Sequence, residues 1–258
     1  MSRSNPIVRG VVRLALLLFL SSCAQPMGLS TGATGALYKP DGPGPFPAVV
    51  VLHGCNGVSP HMQAWAQRLN RWGYAAVVVD SFGPRGYPEG VCAKGLLVPP
   101  ELRARDAFAA AAWLRSQPFV DGAHIGVVGF SHGGWTIMRA ILETAVREAD
   151  ATPFQAAVAY YPYCAFSRVP IASDTLILIG DADDWTPAPR CTSYVAAQIA
   201  PPHALDIKVY PRATHAFDVM AAPRTAFGHF MSYDPAAADD SFELTRRFFD
   251  ARLKARAD

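Results

Sequence analysis

From Ala48 onward, short runs of wholly apolar residues alternate with longer stretches of mixed polarity. Ala48-Val49-Val50-Val51-Leu52 contains no polar alternation, which predicts a strand buried on both faces, as in a parallel sheet. Tyr74 to Val79, ended by Asp80, predicts a second such strand, and Ile125 to Phe130 a third. Ala156 to Tyr160, Thr175 to Ile179 and Asp206 to Tyr210 continue the series, and a short edge strand falls around Ala36 to Lys39. Helical periodicity fills the intervals: 61–72 with Trp65, Leu69 and Trp72 on one face, Glu101 to Arg115 stopped by Pro118, His132 to Arg147, Ser193 to Ile199, and Phe242 to Lys254. Strands alternating with helices predict an α/β fold, a mostly parallel sheet with helices on both faces. Ligands bind such sheets beyond the carboxyl ends of the strands, so the loops after strands are where chemistry is expected.

The amino-terminal segment follows a different pattern. Arg3, Arg9 and Arg13 are its only charges before Cys23, and the apolar run Leu14 to Leu20 follows them. A basic stretch and a short apolar stretch predict a signal peptide over residues 1–22, since a membrane span needs about 20 apolar residues. Leu20-Ser21-Ser22-Cys23 resembles the lipobox of bacterial lipoproteins, in which the cysteine is lipidated and becomes the mature amino terminus. With Ala24 next, that resemblance implies an exported lipoprotein on the periplasmic side of the envelope, at the outer membrane, touching membrane through its lipid only. Residues 23–45, rich in Gly, Pro and Thr, read as a tether, and 46–258 as one domain.

Charge alters the list of partners. The chain has 23 basic and 21 acidic residues, and removing residues 1–22 takes away three arginines and no acid, leaving 20 against 21. A near-neutral mature protein has no electrostatic footprint for nucleic acid. Charged residues make up 17% and hydrophobic ones 51%, which excludes intrinsic disorder.

Directly after the third strong strand stands Gly129-Phe130-Ser131-His132-Gly133, a Gly-x-Ser-x-Gly pattern that opens a predicted helix. Such an elbow holds a serine on a sharp turn at the sheet edge, with the helix amino terminus beside the developing oxyanion. A serine nucleophile needs a base, and the base an orienting carboxylate. The strand Thr175 to Ile179 leads into Gly180-Asp181-Ala182-Asp183-Asp184, and Asp206 to Tyr210 leads into a loop carrying His215. Ser131, Asp183 and His215 thus form a candidate triad in the order Ser, Asp, His, with Asp181 and Asp184 as alternative acids. The His53-Gly54-Cys55-Asn56-Gly57 loop supplies the fourth part. The backbone N–H groups of Cys55 and His132 are the expected oxyanion-hole donors, and His53 is expected to shape the loop.

Together these segments resemble the dienelactone hydrolase family of the α/β-hydrolase superfamily over roughly residues 35–255. The carriers are the His53 loop, Asp80-Ser81-Phe82-Gly83-Pro84-Arg85-Gly86, the Ser131 elbow, Gly180-x-x-Asp183-x-x-x-Pro187 and His215-x-Phe217. The spacing around Asp183 marks the acid in that family. Dienelactone hydrolases themselves use a cysteine nucleophile with a glutamate near the oxyanion loop, whereas this chain has Ser131 and Gly54-Cys55-Asn56. The resemblance therefore implies a general serine ester hydrolase acting on a small-molecule ester, with no cofactor or metal. A peptidase or acyltransferase on the same triad, or a non-catalytic envelope lipoprotein of this fold, stays open.

Four cysteines remain if Cys23 carries lipid. Cys164 and Cys191 flank the same strand, which favours Cys164–Cys191 and Cys55–Cys92 as disulfides in an oxidising compartment. No Cys-x-x-Cys or His-x-x-His pattern suggests a metal. His132 is expected to turn its side chain away from the elbow and pack. His61, His124, His203 and His229 show no partner pattern and read as surface or capping residues. Trp135 and Trp185 are candidates for a substrate pocket, and the long loop Ser81 to Pro100 for its entrance.

Overall fold

A computed structural model describes residues 24–165, 169–198 and 202–254. Cys23, the expected lipidation site, lies outside the described residues. Eight strands form one sheet in the order β1-β2-β4-β3-β5-β6-β7-β8. They are β1 (Gln25–Gly28), β2 (Thr34–Tyr38), β3 (Phe46–Leu52), β4 (Ala75–Asp80), β5 (Val120–Phe130), β6 (Ala156–Tyr160), β7 (Asp174–Gly180) and β8 (Leu205–Tyr210). From β4 to β8 all neighbours are parallel, while β1 and β2 join antiparallel at one edge.

The apolar runs occupy the centre. Val49, Val50 and Val51 are fully buried, as are Val77, Val79, Val127 and Val128. The central strands β3, β4 and β6 are covered on both faces, which is why none of them alternates with polar residues, whereas the edge strand β8 does alternate, with Asp206 and Lys208 exposed. Helices α1 (Pro60–Arg71) and α6 (Pro235–Leu253) share one face, where Trp65 meets Phe242 edge to face at 5.3 Å. Helices α2 (Pro100–Arg115) and α3 (His132–Ala140) pack together against the central strands from the other.

Four expectations need correction. The segment read as a tether is not a free linker: β1 and β2 lie in it and extend the sheet, with Ala36 opposite Val78. The helix expected from His132 to Arg147 is two helices, α3 and α4 (Glu143–Glu148). Between them the backbone pairs sideways, Ala172 N–H donating to the Ile141 carbonyl and Glu143 N–H to Pro170, which takes those residues out of the helix. The helix expected at Ser193 to Ile199 is α5 (Ala188–Ala196), whose first turn accommodates proline because no intrahelical N–H is needed there. Helix α6 begins seven residues before Phe242, capped by the Asp234 carboxylate accepting from Ala237 N–H.

Both disulfides form as expected, Cys55–Cys92 and Cys164–Cys191. Among the described residues, no helix is long and apolar enough to cross a membrane.

Candidate active site

The loops leaving the carboxyl ends of β3, β5, β7 and β8 meet at one edge of the sheet. Ser131, between β5 and α3, has φ 53° and ψ −111°, a conformation that a non-glycine residue adopts only when its surroundings impose it. Gly133 shows how they do so. A methyl group there would run into the carbonyl oxygens of Leu52 and His53, so the first turn of α3 lies directly on the end of β3. That close approach brings the His53 loop beside the nucleophile.

Ser131 Oγ lies 2.9 Å from His215 Nε2, and His215 Nδ1 lies 2.8 Å from Asp183 Oδ2. His215 and Asp183 are buried. The other Asp183 oxygen accepts from the backbone N–H groups of Trp185 and Thr186, at 2.9 and 2.8 Å. These bonds hold the carboxylate aimed at the imidazole. Asp181 instead accepts from Arg212 N–H, and exposed Asp184 pairs with half-buried His229 at 3.1 Å. Asp183 is therefore the one of the three that reaches His215. Thr186 Oγ1 stands 2.9 Å from Asp183 Oδ2 and 3.2 Å from His215 Nδ1, a neighbour that sequence spacing did not reveal.

Among the described residues, the backbone N–H groups of Cys55 and His132 have no protein acceptor. They flank Ser131 from the β3 loop and the start of α3, as an oxyanion site requires.

Two buried polar clusters support these parts. Asp218, three residues after His215, accepts from His61 Nε2 at 2.9 Å, Trp65 Nε1 at 3.0 Å and the Tyr161 hydroxyl at 2.8 Å. Burial pushes its carboxyl up, but the His61 charge and the three donors outweigh that and hold it below the ordinary range. Tyr161 in turn packs its ring 4.8 Å from that of His215 and has φ 37°. His61 is thus no surface residue but a pocket wall with a carboxylate partner. On the opposite side, buried Arg103 reaches the His132 ring and the His53 carbonyl. Burial and the Arg103 cation lower the His53 imidazole well below its usual range and press that of His132 to about 4, so both rings are neutral at pH 7.

The cleft has two lobes that meet at Ser131 and the Cys55–Cys92 bridge. One, about 160 Å³, is lined by Met62, Phe130, Val219, Phe227 and Met231, with His61 and Arg224 as polar points. The other, about 460 Å³, is lined by Leu96, Trp135, Tyr163 and Trp185. Both tryptophans singled out by sequence are pocket walls, and Cys92, Gly95 and Leu96 bring the 81–100 loop to the cleft. A hairpin absent from the sequence reading, β9 (Arg224–Ala226) and β10 (His229–Met231), covers the smaller lobe. His229 on it stacks on Trp185 at 4.6 Å, so it too has a defined place. His124 and His203 pair with Asp121 and Asp174 near the surface.

Comparison with known proteins adds ancestry to this geometry. A family model described as "Dienelactone hydrolase family" matches residues 33–253. A Synechocystis sp. protein named "Putative carboxymethylenebutenolidase" is 25% identical over 239 residues, covering 85% of this chain and 92% of its own. Among solved structures, a metagenomic dienelactone hydrolase-like promiscuous phosphotriesterase superposes with TM-score 0.73 at 22% identity, covering 90% of this chain and 99% of that one. A thermophilic esterase from Thermogutta terrifontis with propionate bound gives TM-score 0.67 at 17% identity, over 91% and 97%.

Proposed function

The chain belongs to the dienelactone hydrolase family, and from that membership and the site geometry we propose a serine hydrolase that cleaves carboxylic esters through an acyl-enzyme. The observation that carries the reading is the unbroken hydrogen-bonded chain from Ser131 through His215 to Asp183. Ser131 Oγ attacks the ester carbonyl while its proton passes to His215 Nε2. Asp183 accepts the Nδ1–H of His215, which fixes the reactive tautomer and stabilises the imidazolium. The negative charge that forms on the carbonyl oxygen meets the N–H groups of Cys55 and His132. Collapse of the tetrahedral intermediate expels the alcohol, which takes the proton from His215. Water then enters, gives a proton to His215, and releases the acid and free Ser131.

The two lobes divide the substrate between them, and their largely apolar walls suit a small-molecule ester with uncharged groups on both sides of the bond. The Thermogutta terrifontis esterase of the same fold has propionate bound, which accords with acyl chemistry on this scaffold. Export fits two disulfides, and the Cys23 lipid anchor at the outer membrane is part of the same proposal.

Labelling of the mature chain with a fluorophosphonate tests the reading. Modification should map to Ser131 and disappear in Ser131→Ala and His215→Ala, and Ser131→Ala should lose turnover by about three orders of magnitude or more. A folded protein that neither labels nor hydrolyses simple esters would overturn it.

A further inference from the structure

We propose that Arg103, a buried cation used by no step above, is a positioning residue that locks both oxyanion-hole amides from behind. The proposal rests on the ester-hydrolase reading and adds a residue to it. Arg103, on α2, is fully buried. Among the described residues no carboxylate lies within ion-pair distance of it, since nearby Asp106 is held at both oxygens by Arg85, at 2.8 Å each. Its Nε finds no acceptor, and its guanidinium lies 4.7 Å from the centre of the Phe82 ring. A charge taken out of water with so little compensation is costly, and a leucine or methionine would fill the space more cheaply. Burial presses its guanidinium down to about 9, which leaves it a cation at neutral pH.

The contacts Arg103 does make all lead to the two amides. Its NH2 donates to the His53 carbonyl at 2.8 Å, and its NH1 to His132 Nδ1 at 2.7 Å. With Nδ1 accepting, His132 donates from Nε2 to the Gly95 carbonyl at 2.7 Å, so the ring of the very residue that offers one amide is held at both ends. On the other side, His53 Nε2 accepts from Ser81 N–H at 3.3 Å, which puts the ring proton on Nδ1. That proton goes to the Gly54 carbonyl at 2.7 Å. The Gly54 carbonyl and the Cys55 N–H belong to one peptide plane, so gripping the oxygen aims the N–H at the opposite side. Arg103 thus fixes the plane of one donor through His53 and the start of α3 through His132, and places a positive charge behind the position where the oxyanion forms.

The test compares wild type, Arg103→Met, Arg103→Lys and His53→Leu. The measurements are kcat and KM on p-nitrophenyl esters, inhibition by an alkylboronic acid that mimics the tetrahedral anion, and folding by near-ultraviolet circular dichroism. Arg103→Met should lower kcat by about tenfold to a hundredfold with KM within about twofold, and weaken the boronate in the same proportion. Arg103→Lys, which keeps the charge, should recover part of both losses. His53→Leu should lower kcat and boronate affinity together, and it carries the test if Arg103→Met does not fold. Folded variants with unchanged kcat, or with a raised KM and undiminished boronate affinity, would overturn the assignment. If wild type itself neither labels at Ser131 nor hydrolyses ester, the ester-hydrolase reading fails first; an active wild type beside unaffected variants sinks the role of Arg103 alone.

Discussion

Replacing Asp218 by alanine should cost a large part of the protein's stability, although the residue takes no chemical part in the reaction. Its carboxylate is the common acceptor for three donors from separate parts of the chain: His61 and Trp65 on α1, and Tyr161 just past β6. His61 keeps 16% of its side-chain exposure and can turn to water. Trp65 and Tyr161 cannot, being 0% and 2% exposed. Two fully buried donors left without an acceptor, at about 1–3 kcal/mol each, give a loss of about 2–6 kcal/mol. Against a typical total stability of about 5–15 kcal/mol, that shift is easily read in urea denaturation. Asp218→Asn should fall between, since one amide oxygen still accepts while the amide nitrogen faces a donor. The pH dependence has a definite sign. The Asp218 carboxyl is held below the ordinary value, so its contribution is complete above the unfolded-state value near ~3.9 and fades as pH falls through the lower folded-state value. The difference between wild type and Asp218→Ala should therefore stay level from neutral pH to about pH 5 and shrink below about pH 4. An alanine variant within about 0.5 kcal/mol of wild type, the range of an unremarkable surface change, would refute the reasoning.

Removing the Cys55–Cys92 bridge, which closes a loop with a sequence separation of 37, should destabilise by about 4 kcal/mol on the chain-entropy estimate, read by urea melts of the double serine variant. The same variant should lose kcat, because the bridge anchors the peptide whose Cys55 N–H we propose as an oxyanion donor. Gly133→Ala should leave little folded protein on gel filtration or little activity in what folds, because its methyl group meets the Leu52 and His53 carbonyls and neither is free to withdraw. Ester turnover should require an unprotonated His215, because only a free Nε2 lone pair can accept the Ser131 proton. A pH–rate profile that is flat from about pH 5 to 9 would exclude it as the base.

The central strands and the loops that carry Ser131, Asp183 and His215 were legible because each has its signal within a few neighbouring residues. Val49 to Val51 announce a strand buried on both faces, and Gly129-Phe130-Ser131-His132-Gly133 needs only its own neighbours to define a turn. Asp183 was preferred through the spacing to Gly180 and Pro187, and the structure pairs it with His215 while Asp181 and Asp184 turn elsewhere. The parts that were not legible depend on contacts across the fold. Asp218 meets Trp65 across 153 residues and His61 across 157, and nothing in the local sequence of any of them names the others. Arg103 sits in an alanine-rich helical segment, where an arginine reads as a solvated side chain until the helix is packed against α3. The edge strand expected around Ala36 to Lys39 overlaps β2, whereas β1 was hidden for another reason: a four-residue segment with Pro26 and Gly28 carries little strand propensity, and its pairing comes from β2.

The two buried clusters gain a common meaning from the charges that the proposed ester cleavage would create. In the mechanism we propose, attack places positive charge on the His215 imidazole and negative charge on the carbonyl oxygen beside the Cys55 and His132 amides. The carboxylates lie on the first side: Asp183 in contact with His215, and Asp218 behind the Tyr161 ring that packs on it. The unpaired cation lies on the second, where Arg103 holds the two oxyanion loops. Each cluster costs stability when judged alone, since polar and charged groups have been withdrawn from water. Set on opposite sides of Ser131, they form a fixed field along the direction in which charge separates, before any substrate arrives. Such preorganisation is worth most where water is excluded, and it needs no reorientation during the reaction. The same logic explains why the charges are not simply paired with one another. An Arg103–Asp218 contact would satisfy both groups and cancel the field, whereas the uncharged Trp65 and Tyr161 at Asp218, and the neutral His132 ring and the His53 carbonyl at Arg103, satisfy hydrogen bonds without cancelling charge.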